Sequence, residues 1–220
     1  MTVDIRRGTE RFADRATGRL TRHGFAFGEH YDPDRLDFGP MVCHDDHLLG
    51  SGQGFDEHPH SGLEIVSWVV TGTLVHTDAS GSSGSTAEVG AGGWGWLTTG
   101  AGVRHAEHAS ADGPARFIQV WLRAGDAPAE AEPAYRTGTG PLTVPTAAGD
   151  AVLTPVHLEA GATTTLLAAA RVHAFVATGA LLRSSLAQPL QTGDAFLLTG
   201  EPAYDVTAAV PTDLLVWTLP

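Results

Sequence analysis

Residues 54–107 begin with the motif Glu57-His58-Pro59-His60 and end with the motif Gly102-Val103-Arg104-His105-Ala106-Glu107. Successive side chains of a β-strand point to opposite faces, so residues two apart share a face. His58 and His60 are therefore expected to project together, and so are His105 and Glu107. Two such pairs, brought face to face, place three imidazoles and one carboxylate around a single point. This set of donor atoms predicts a site for a divalent transition metal.

The donor set favours a catalytic metal over a structural one. Fe(II), Mn, Ni, Cu(II) and Zn all accept imidazole, and a carboxylate suits the harder members of that group. Three nitrogens and one oxygen leave two positions of an octahedron open for a substrate or dioxygen. A structural zinc site is closed by four ligands that usually include cysteine, and the chain contains one cysteine, Cys43. The residues alone do not choose among these metals.

The identity of the carboxylate ligand is left open by the spacing. Glu64 follows His60 by four residues, so in an unbroken strand it shares the face of the two histidines and competes with Glu107. The carboxylate that does not bind the metal is expected to orient a ligand or to act as a base. His76 and Asp78 have the same parity and are expected at the rim of the pocket. Arg104 is expected to face away from His105 and to form an ion pair. No role is assigned to the remaining histidines: His23, His30, His44, His47, His108, His157 and His173.

Composition indicates a globular all-β protein. Hydrophobic residues make up 42% of the 220 residues and charged residues 17%, and 27 glycines and 13 prolines predict many turns. The formal net charge of −12, with no run of Lys or Arg, argues against a nucleic-acid partner. The single Cys43 excludes an internal disulfide and is expected to be buried. Residues 1–20 lack the apolar core of a signal peptide, and no stretch reaches the roughly 18 apolar residues of a spanning helix. We therefore expect a cytoplasmic protein without membrane contact.

The second half of the chain repeats the strand pattern of the first half. Residues 69–74 (Val-Val-Thr-Gly-Thr-Leu) match residues 176–181, and residues 93–100 match residues 193–200. We expect two copies of one β-unit, with an N-terminal unit at residues 1–128, a linker at residues 129–140 and a C-terminal unit at residues 141–220. At the positions equivalent to His58, His60, His105, Glu107 and Glu64, the second copy carries Thr165, Leu167, Asp205, Thr207 and Arg171. Only the N-terminal unit is therefore expected to bind a metal.

Three motifs of the N-terminal half resemble the pirin family, which belongs to the cupin superfamily. They are His58-Pro59-His60-Ser61-Gly62-Leu63-Glu64, Gly72-Thr73-Leu74-Val75-His76-Thr77-Asp78, and Thr98-Thr99-Gly100-Ala101-Gly102-Val103-Arg104-His105-Ala106-Glu107. The resemblance implies a bicupin, which consists of two tandem antiparallel β-barrels of the double-stranded β-helix (jelly-roll) type. It also implies one metal, usually iron, in the N-terminal barrel. The ligands of the family pattern match His58, His60, His105 and Glu107, which favours Glu107 over Glu64.

The same resemblance implies a dioxygenase that cleaves a flavonol such as quercetin with O2. In this hypothesis the catalytic carboxylate is Glu107 or Glu64, and the partners are an aromatic substrate and dioxygen. Fe(II) is the expected metal, with Cu, Ni, Mn and Zn as alternatives. Two other hypotheses are a metal-containing redox switch that binds a protein partner, and another cupin enzyme such as an isomerase. The sequence does not indicate an oligomeric state.

Overall fold

The computed structural model describes residues 2–78, 85–125, 132–184 and 188–220 of the chain. Nearly all regular structure in these residues is antiparallel β-strand, which confirms the predicted all-β class. Two short 3-10 turns, Gly8–Glu10 and Pro33–Arg35, are also present. No helix in the described part of the chain has the length and hydropathy needed to cross a membrane. The chain divides into two compact units, one formed by Phe12–Thr139 and the other by Met1–Arg11 together with Gly140–Pro220.

The N-terminal unit, Phe12–Thr139, contains eleven strands among its described residues. They are β2 (Phe12–Ala16), β3 (Arg19–His23), β4 (Met41–Leu49), β5 (Gly54–His60), β6 (Leu63–Thr71), β7 (Thr73–Asp78), β8 (Ser85–Gly90), β9 (Gly93–Thr98), β10 (Val103–Ala109), β11 (Ala115–Arg123) and β12 (Ala134–Thr139). A seven-stranded sheet has the order β12-β9-β6-β11-β4-β3-β2, and a four-stranded sheet has the order β5-β10-β7-β8. The seven-stranded sheet contributes Ser67 and Gln119, and the four-stranded sheet contributes the histidines, to one shared interior.

The alternation of buried and more exposed residues along the strands shows where the core of this unit lies. In β7 every second residue is buried, with Leu74, His76 and Asp78 inward, as expected for a sheet with two different faces. The central strands β6 and β11 are buried along most of their length. One end of the interior is closed by an apolar cluster that includes Val69, Leu74 and Phe117. The polar residues lie beside this cluster rather than within it.

The C-terminal unit contains the other described strands. They are β1 (Thr2–Arg6), β13 (Leu142–Thr146), β14 (Gly149–Leu158), β15 (Thr163–Leu166), β16 (Arg171–Thr178), β17 (Ala180–Leu181), β18 (Leu190–Gln191), β19 (Ala195–Thr199), β20 (Tyr204–Thr207) and β21 (Thr212–Leu219). The main sheet has the order β1-β19-β16-β21-β14-β13, and β15-β20 and β17-β18 are separate pairs. Its interior is a single apolar cluster that includes Phe196, Leu198, Val206 and Leu214.

The predicted repeat agrees with the strand order of the two units. The order β9-β6-β11-β4-β3 in the first main sheet corresponds to β19-β16-β21-β14-β13 in the second. Each copy also turns at an equivalent glycine with a positive φ, Gly72 at 76° and Gly179 at 81°. A Cβ atom on Gly72 would lie 2.2 Å from the carbonyl oxygen of Pro114, and one on Gly179 would lie 2.3 Å from that of Pro211. The conserved geometry explains why the motif Thr-Gly recurs at both positions.

The unit boundaries differ from those expected from the sequence. Residues 2–6 form β1, which pairs with β19 of the C-terminal unit, so the N-terminal unit begins at Phe12 instead of residue 1. Part of the stretch expected to be a linker, Ala134–Thr139, is β12, which pairs with β9 of the N-terminal unit. An unpaired edge strand offers its backbone hydrogen-bonding groups to any extended segment nearby. Residues 129–131 of the expected linker lie outside the described residues.

Candidate metal centre

Three of the four expected ligands lie together inside the N-terminal unit. His58 and His105 are directly opposite each other in β5 and β10, and their ring centroids are 4.4 Å apart. The ring of His60 is 4.9 Å from that of His58 and 5.2 Å from that of His105. One nitrogen from each of the three rings lies within 4.8 Å of the others. The pairing of motifs expected from strand parity is therefore present in the structure.

A β-bulge in β5 changes which of its side chains lie on the same face of the strand. His105 pairs with His58, but Glu107 pairs with Phe55, so β5 has one extra residue between these two pairs. Phe55 and His58 are three residues apart, and a regular strand would place them on opposite faces. Because of the bulge, both line the same cavity. The bulge therefore places an aromatic side chain beside the imidazole cluster.

The nitrogen atoms of the cluster are in the protonation state that a metal requires. Nδ1 of His58 is 2.8 Å from the carbonyl oxygen of Asp56; since a carbonyl only accepts, Nδ1 is the donor, and Nε2 is the nitrogen left to face a metal. Burial lowers the pKa of His105 to about 4, and burial together with His58 lowers the pKa of His60. Among the described residues, Nε2 of His60 and both ring nitrogens of His105 have no hydrogen-bond partner. Buried neutral imidazoles without partners fit a bound divalent metal.

Glu107 lies next to the cluster, held by a short network of hydrogen bonds. Nε1 of Trp121 donates to Oε1 of Gln119 at 2.8 Å, which fixes the orientation of the Gln119 amide. The Nε2 group of Gln119 then donates to both carboxylate oxygens of Glu107, at 2.9 Å each, and Ser67 Oγ donates to Oε1 at 3.3 Å. Burial acts to raise the pKa of Glu107, but His105 and the Gln119 amide outweigh it and hold the pKa below its ordinary value. Glu107 is therefore an ionised carboxylate in a buried site.

His76 joins the site from β7. Its ring centroid is 5.2 Å from that of His105, and His76, His105 and Glu107 form a second group of potential ligands. Nε2 of His76 lies 3.1 Å from Oδ2 of Asp78, which also accepts a hydrogen bond from Ser85. Burial lowers the pKa of His76, and its Nδ1 has no hydrogen-bond partner among the described residues. His76 and Asp78 are fully buried, whereas the sequence suggested a position at the pocket rim.

Tyr135 covers the outer side of His76. The two rings are stacked 3.7 Å apart with an angle of 1° between their planes. Tyr135 fits there because Gly95 has no side chain, since a Cβ atom on Gly95 would lie 1.8 Å from the phenol oxygen. Burial raises the pKa of the Tyr135 hydroxyl, so it stays protonated. The unusual Gly-Trp-Gly-Trp sequence of β9 thus makes room for a ring that supports the site.

Glu64 does not join this group, contrary to one of the two alternatives left open by its spacing. Gly62, with a φ of 68°, turns the chain between β5 and β6 and breaks the parity on which the expectation rested. Glu64 and Ser67 are three residues apart in β6, so the two side chains lie on opposite faces of the sheet. The Glu64 carboxylate accepts hydrogen bonds from Trp96 at 2.6 Å and from Thr98 at 2.8 Å. Burial raises its pKa, and the expected role as catalytic base has no geometric support.

A cavity of about 530 Å³ opens beside the cluster. His58, His60, Glu107 and Gln119 line it together with three aromatic side chains, Phe27, Phe55 and Trp121, and with polar and charged side chains from β2, β3 and β4. Trp121 packs edge-on against His60 with a centroid distance of 4.6 Å, and Phe27 packs edge-on against Trp121 at 5.5 Å. Phe27 is also partly exposed, so it stands at the mouth. Concave sites of this volume with mainly apolar walls bind small molecules.

Sequence reasoning missed several residues of this site. Gln119 and Trp121 are two residues apart in β11 and share a face, but nothing in the sequence indicates which face that is. His23 and His47, to which no role was assigned, line the cavity from β3 and β4. The other expectations agree with the structure: Arg104 forms an ion pair with Glu57 at 2.6 Å, and Cys43 is buried.

The second unit has no equivalent of this cluster in its described residues. Thr165 and Asp205, expected at the positions of His58 and His105, do pair with each other, and the Thr165 hydroxyl donates to Asp205 at 2.6 Å. Both side chains are exposed, however, and their neighbours Leu166 and Val206 point into the core instead. The expected loss of imidazoles in the second copy agrees with this arrangement.

The fold and the histidine cluster define a bicupin with a candidate metal centre in one barrel, and comparisons with known proteins identify its family. The pirin family model matches residues 6–122, which is more than half of the chain, and the chain belongs to the pirin family. A Mycobacterium tuberculosis protein named "Putative quercetin 2,3-dioxygenase" is 33% identical over 234 residues, covering 98% of this chain and 94% of that protein.

Two Escherichia coli relatives add to this comparison. A protein named "Quercetin 2,3-dioxygenase" is 35% identical over 101 residues, which cover 46% of this chain and 42% of that protein. The crystal structure of the bacterial pirin YhhW, in complex with nickel(II), matches with a TM-score of 0.86 and 26% identity, covering 100% of this chain and 99% of that one. The similarity therefore extends over both units.

Proposed function

We propose that this protein is a metal-dependent dioxygenase that cleaves a flavonol such as quercetin with O2. The observation that carries the proposal is the continuity between the imidazole cluster and a cavity whose lining includes Phe27, Phe55 and Trp121. A site built only to hold a metal would have no need of a 530 Å³ space beside it. The names of the Mycobacterium tuberculosis and Escherichia coli relatives support the same reaction.

In this proposal the metal is held by His58, His60 and His105 through neutral nitrogens, and by Glu107 through a carboxylate oxygen. These donors fit several divalent metals, and the nickel(II) complex of the relative YhhW supports the binding of a metal by this fold. Fe(II) remains the predicted metal, with Ni, Cu, Mn and Zn as alternatives. His76 adds a fifth donor atom near His105, so it is available to replace or to orient a ligand.

A divalent metal in this site supplies Lewis acidity toward the 3-hydroxyl and 4-carbonyl oxygens of a flavonol and a centre for the activation of dioxygen. Glu107 accepts the proton of the 3-hydroxyl on a carboxylate oxygen, because its lowered pKa keeps it ionised before the substrate binds. Gln119 and Ser67 keep that carboxylate in place through their hydrogen bonds. Glu64 takes no part, because its carboxylate lies on the other face of the sheet.

The walls of the cavity fit a flat aromatic ring system. Phe27, Phe55 and Trp121 line it, and Phe27 stacks on His23 at a centroid distance of 5.0 Å. Aromatic rings prefer stacked or edge-on contacts with one another. The expected cytoplasmic location stays a prediction from the sequence.

The proposal is tested by two measurements on the same samples. The first measures bound iron or nickel per chain, and the second follows loss of quercetin absorbance and release of carbon monoxide in air. We expect about one metal per chain and metal-dependent turnover for the wild type. His58→Ala and His60→Ala should each lose the metal and the turnover together, since each removes one of the proposed ligands. Circular dichroism should show that both variants keep their strands.

His108→Ala provides the matched control. His108 lies in β10 near His105, but its partly exposed ring faces Asp56 outside the cluster. This variant should keep both metal and turnover. Full turnover at wild-type metal content in His58→Ala would refute the ligand assignment. One tightly bound metal without turnover of quercetin would instead favour the hypothesis of a metal-containing module that binds a protein partner.

A further inference from the structure

A row of polar side chains crosses the floor of the cavity, away from the imidazole cluster. Gln119 is opposite Asp45 in the pairing of β11 with β4, and Asp45 is opposite His23 in the pairing of β4 with β3. All three residues are buried and line the cavity. Neighbouring strands are about 4.8 Å apart, so His23 lies roughly 10 Å from Gln119 along the sheet. A molecule with three aromatic or fused rings spans such a distance.

Asp45 is the acidic member of this row and is held by a chain of hydrogen bonds. Its Oδ2 lies 2.8 Å from Nδ1 of His23, and Nε2 of His23 lies 3.2 Å from Asp14. Asp14 in turn lies 2.7 Å from Nε2 of His30. Burial acts to lower the pKa of His23, but the bonds to Asp45 and Asp14 outweigh it and raise the pKa. His23 therefore holds the Asp45 carboxylate in a fixed orientation at the cavity wall.

His47 is a second polar group on the same wall. It follows Asp45 by two residues in β4, so both side chains face the cavity. Nδ1 of His47 lies 2.9 Å from the Thr21 hydroxyl, but among the described residues its buried Nε2 has no hydrogen-bond partner. Buried polar atoms in proteins are nearly always satisfied. A polar group of a ligand in the cavity would supply the missing partner.

We propose that Asp45 and His47 recognise hydroxyl groups on the ring of the substrate that lies away from the imidazole cluster. The site would then select flavonols with a dihydroxylated outer ring over flavonols whose outer ring is a plain phenyl group. Asp45 accepts a hydrogen bond from one hydroxyl, and His47 pairs with the other. His23 positions Asp45 and does not touch the substrate. This inference rests on the proposed function, because it takes a flavonol as the occupant of the cavity.

The test compares two flavonols that differ only on this ring: quercetin, with two hydroxyl groups, and galangin, with none. Binding to the nickel-loaded protein is measured by calorimetry without dioxygen, so that turnover does not interfere. For the wild type we expect quercetin to bind about tenfold more tightly than galangin, because hydrogen bonds to a charged group contribute most to such selectivity. Asp45→Asn should reduce this ratio to about threefold or less while galangin binding stays unchanged.

Asp46→Asn is the matched control. Asp46 is the next residue of β4 and is equally buried, but it points to the other face and forms an ion pair with Arg116 at 2.8 Å. This variant should keep the tenfold ratio even if its stability falls. If either variant fails to fold, the ratio of quercetin affinity to galangin affinity of the wild type still tests the inference, because equal affinities would overturn it.

The outcomes separate this inference from the proposed function. Equal binding of both flavonols to the wild type, or an unchanged ratio in Asp45→Asn, would overturn the inference and leave the dioxygenase proposal intact. A tenfold preference without turnover in air would support the inference and remove the proposed reaction. If neither flavonol binds, the proposed substrate class is wrong, and the inference is overturned with it.

Discussion

The two β-units share a strand order but differ in what fills their interiors. At the centre of the N-terminal sheet Ser67 pairs with Gln119, and both side chains donate to Glu107. The equivalent pair in the C-terminal sheet is Ala174 and Val216, which belong to a continuous apolar cluster. A buried carboxylate is costly unless hydrogen-bond donors surround it. The exchange of two polar residues for two apolar ones is therefore one of the differences that separate the interiors of the two units.

This comparison also shows what both copies require. Among the described residues, the strand order and the glycine corner are common to the two units, whereas the histidine cluster and the polar sheet floor lie in the first. Features that position strands recur in both copies, and features that carry chemistry occur in one. The C-terminal unit shows what this scaffold looks like when its interior is filled by apolar side chains.

The largest expected effect is the loss of stability when either of the two equivalent glycines, Gly72 or Gly179, is replaced. Gly72→Ala and Gly179→Ala should each destabilise the protein by about 3 kcal/mol or more, since each combines a positive φ with a Cβ atom close to a carbonyl oxygen. Gly92→Ala is the matched control, because its φ is 79° but nothing lies within 4 Å of its added Cβ. It should cost only about 1 kcal/mol. Urea unfolding of the three variants measures these differences, and equal costs would refute the proposed role of the close carbonyl oxygens.

A smaller effect is expected from the pH dependence of the metal-free protein. Burial lowers the pKa of His105 in the N-terminal unit to about 4 and that of His173 in the C-terminal unit to about 3, against an ordinary 6.5. Below pH 6.5 these two histidines bind protons in the unfolded chain but not in the folded chain, so the free energy of unfolding falls as the pH decreases toward 4. The contribution of His105 should be on the order of 2–3 kcal/mol.

Urea unfolding between pH 7 and pH 4.5 measures this dependence. His105→Asn and His173→Asn should each flatten it, because each removes one group that is neutral in the folded state. Adding nickel should distinguish the two units. Bound nickel should stabilise the N-terminal unit, which contains His105, against unfolding at low pH, and should not stabilise the C-terminal unit. A pH dependence that neither variant changes would contradict the assignment to these two buried histidines.

The smallest expected effect is a loss of nickel affinity when the hydrogen bonds from Gln119 to Glu107 are removed. Gln119→Leu makes the N-terminal interior resemble the C-terminal one and leaves the carboxylate without its main donor. We expect about tenfold weaker nickel binding, a loss typical for residues that orient a metal ligand. Val216→Leu in the equivalent position should leave nickel binding unchanged. Calorimetric titration with nickel gives both affinities, and equal affinity of Gln119→Leu and the wild type would show that Glu107 needs no such support.

Much of the site was accessible from local patterns. Parity within β5 and β10 predicted that His58 and His60 face one way and that His105 joins them, and the structure places the three rings together. The same reasoning was wrong for Glu64, because a turn at Gly62 interrupts the strand before it reaches that residue. Parity holds only within one unbroken strand. The boundaries of the units were misplaced for a related reason, since β1 and β12 pair with strands distant in sequence.

The sequence by itself determined the all-β class, the repeat of one β-unit, the family and the three clustered histidines, because these depend on spacing within short segments. Only the tertiary structure decided which other side chains meet them. Gln119, Trp121, His76, Asp45 and His23 come from four strands, and their shared position depends on the register between strands. Register is set by the packing of the whole sheet, and a shift of one residue would turn each of these side chains to the other face.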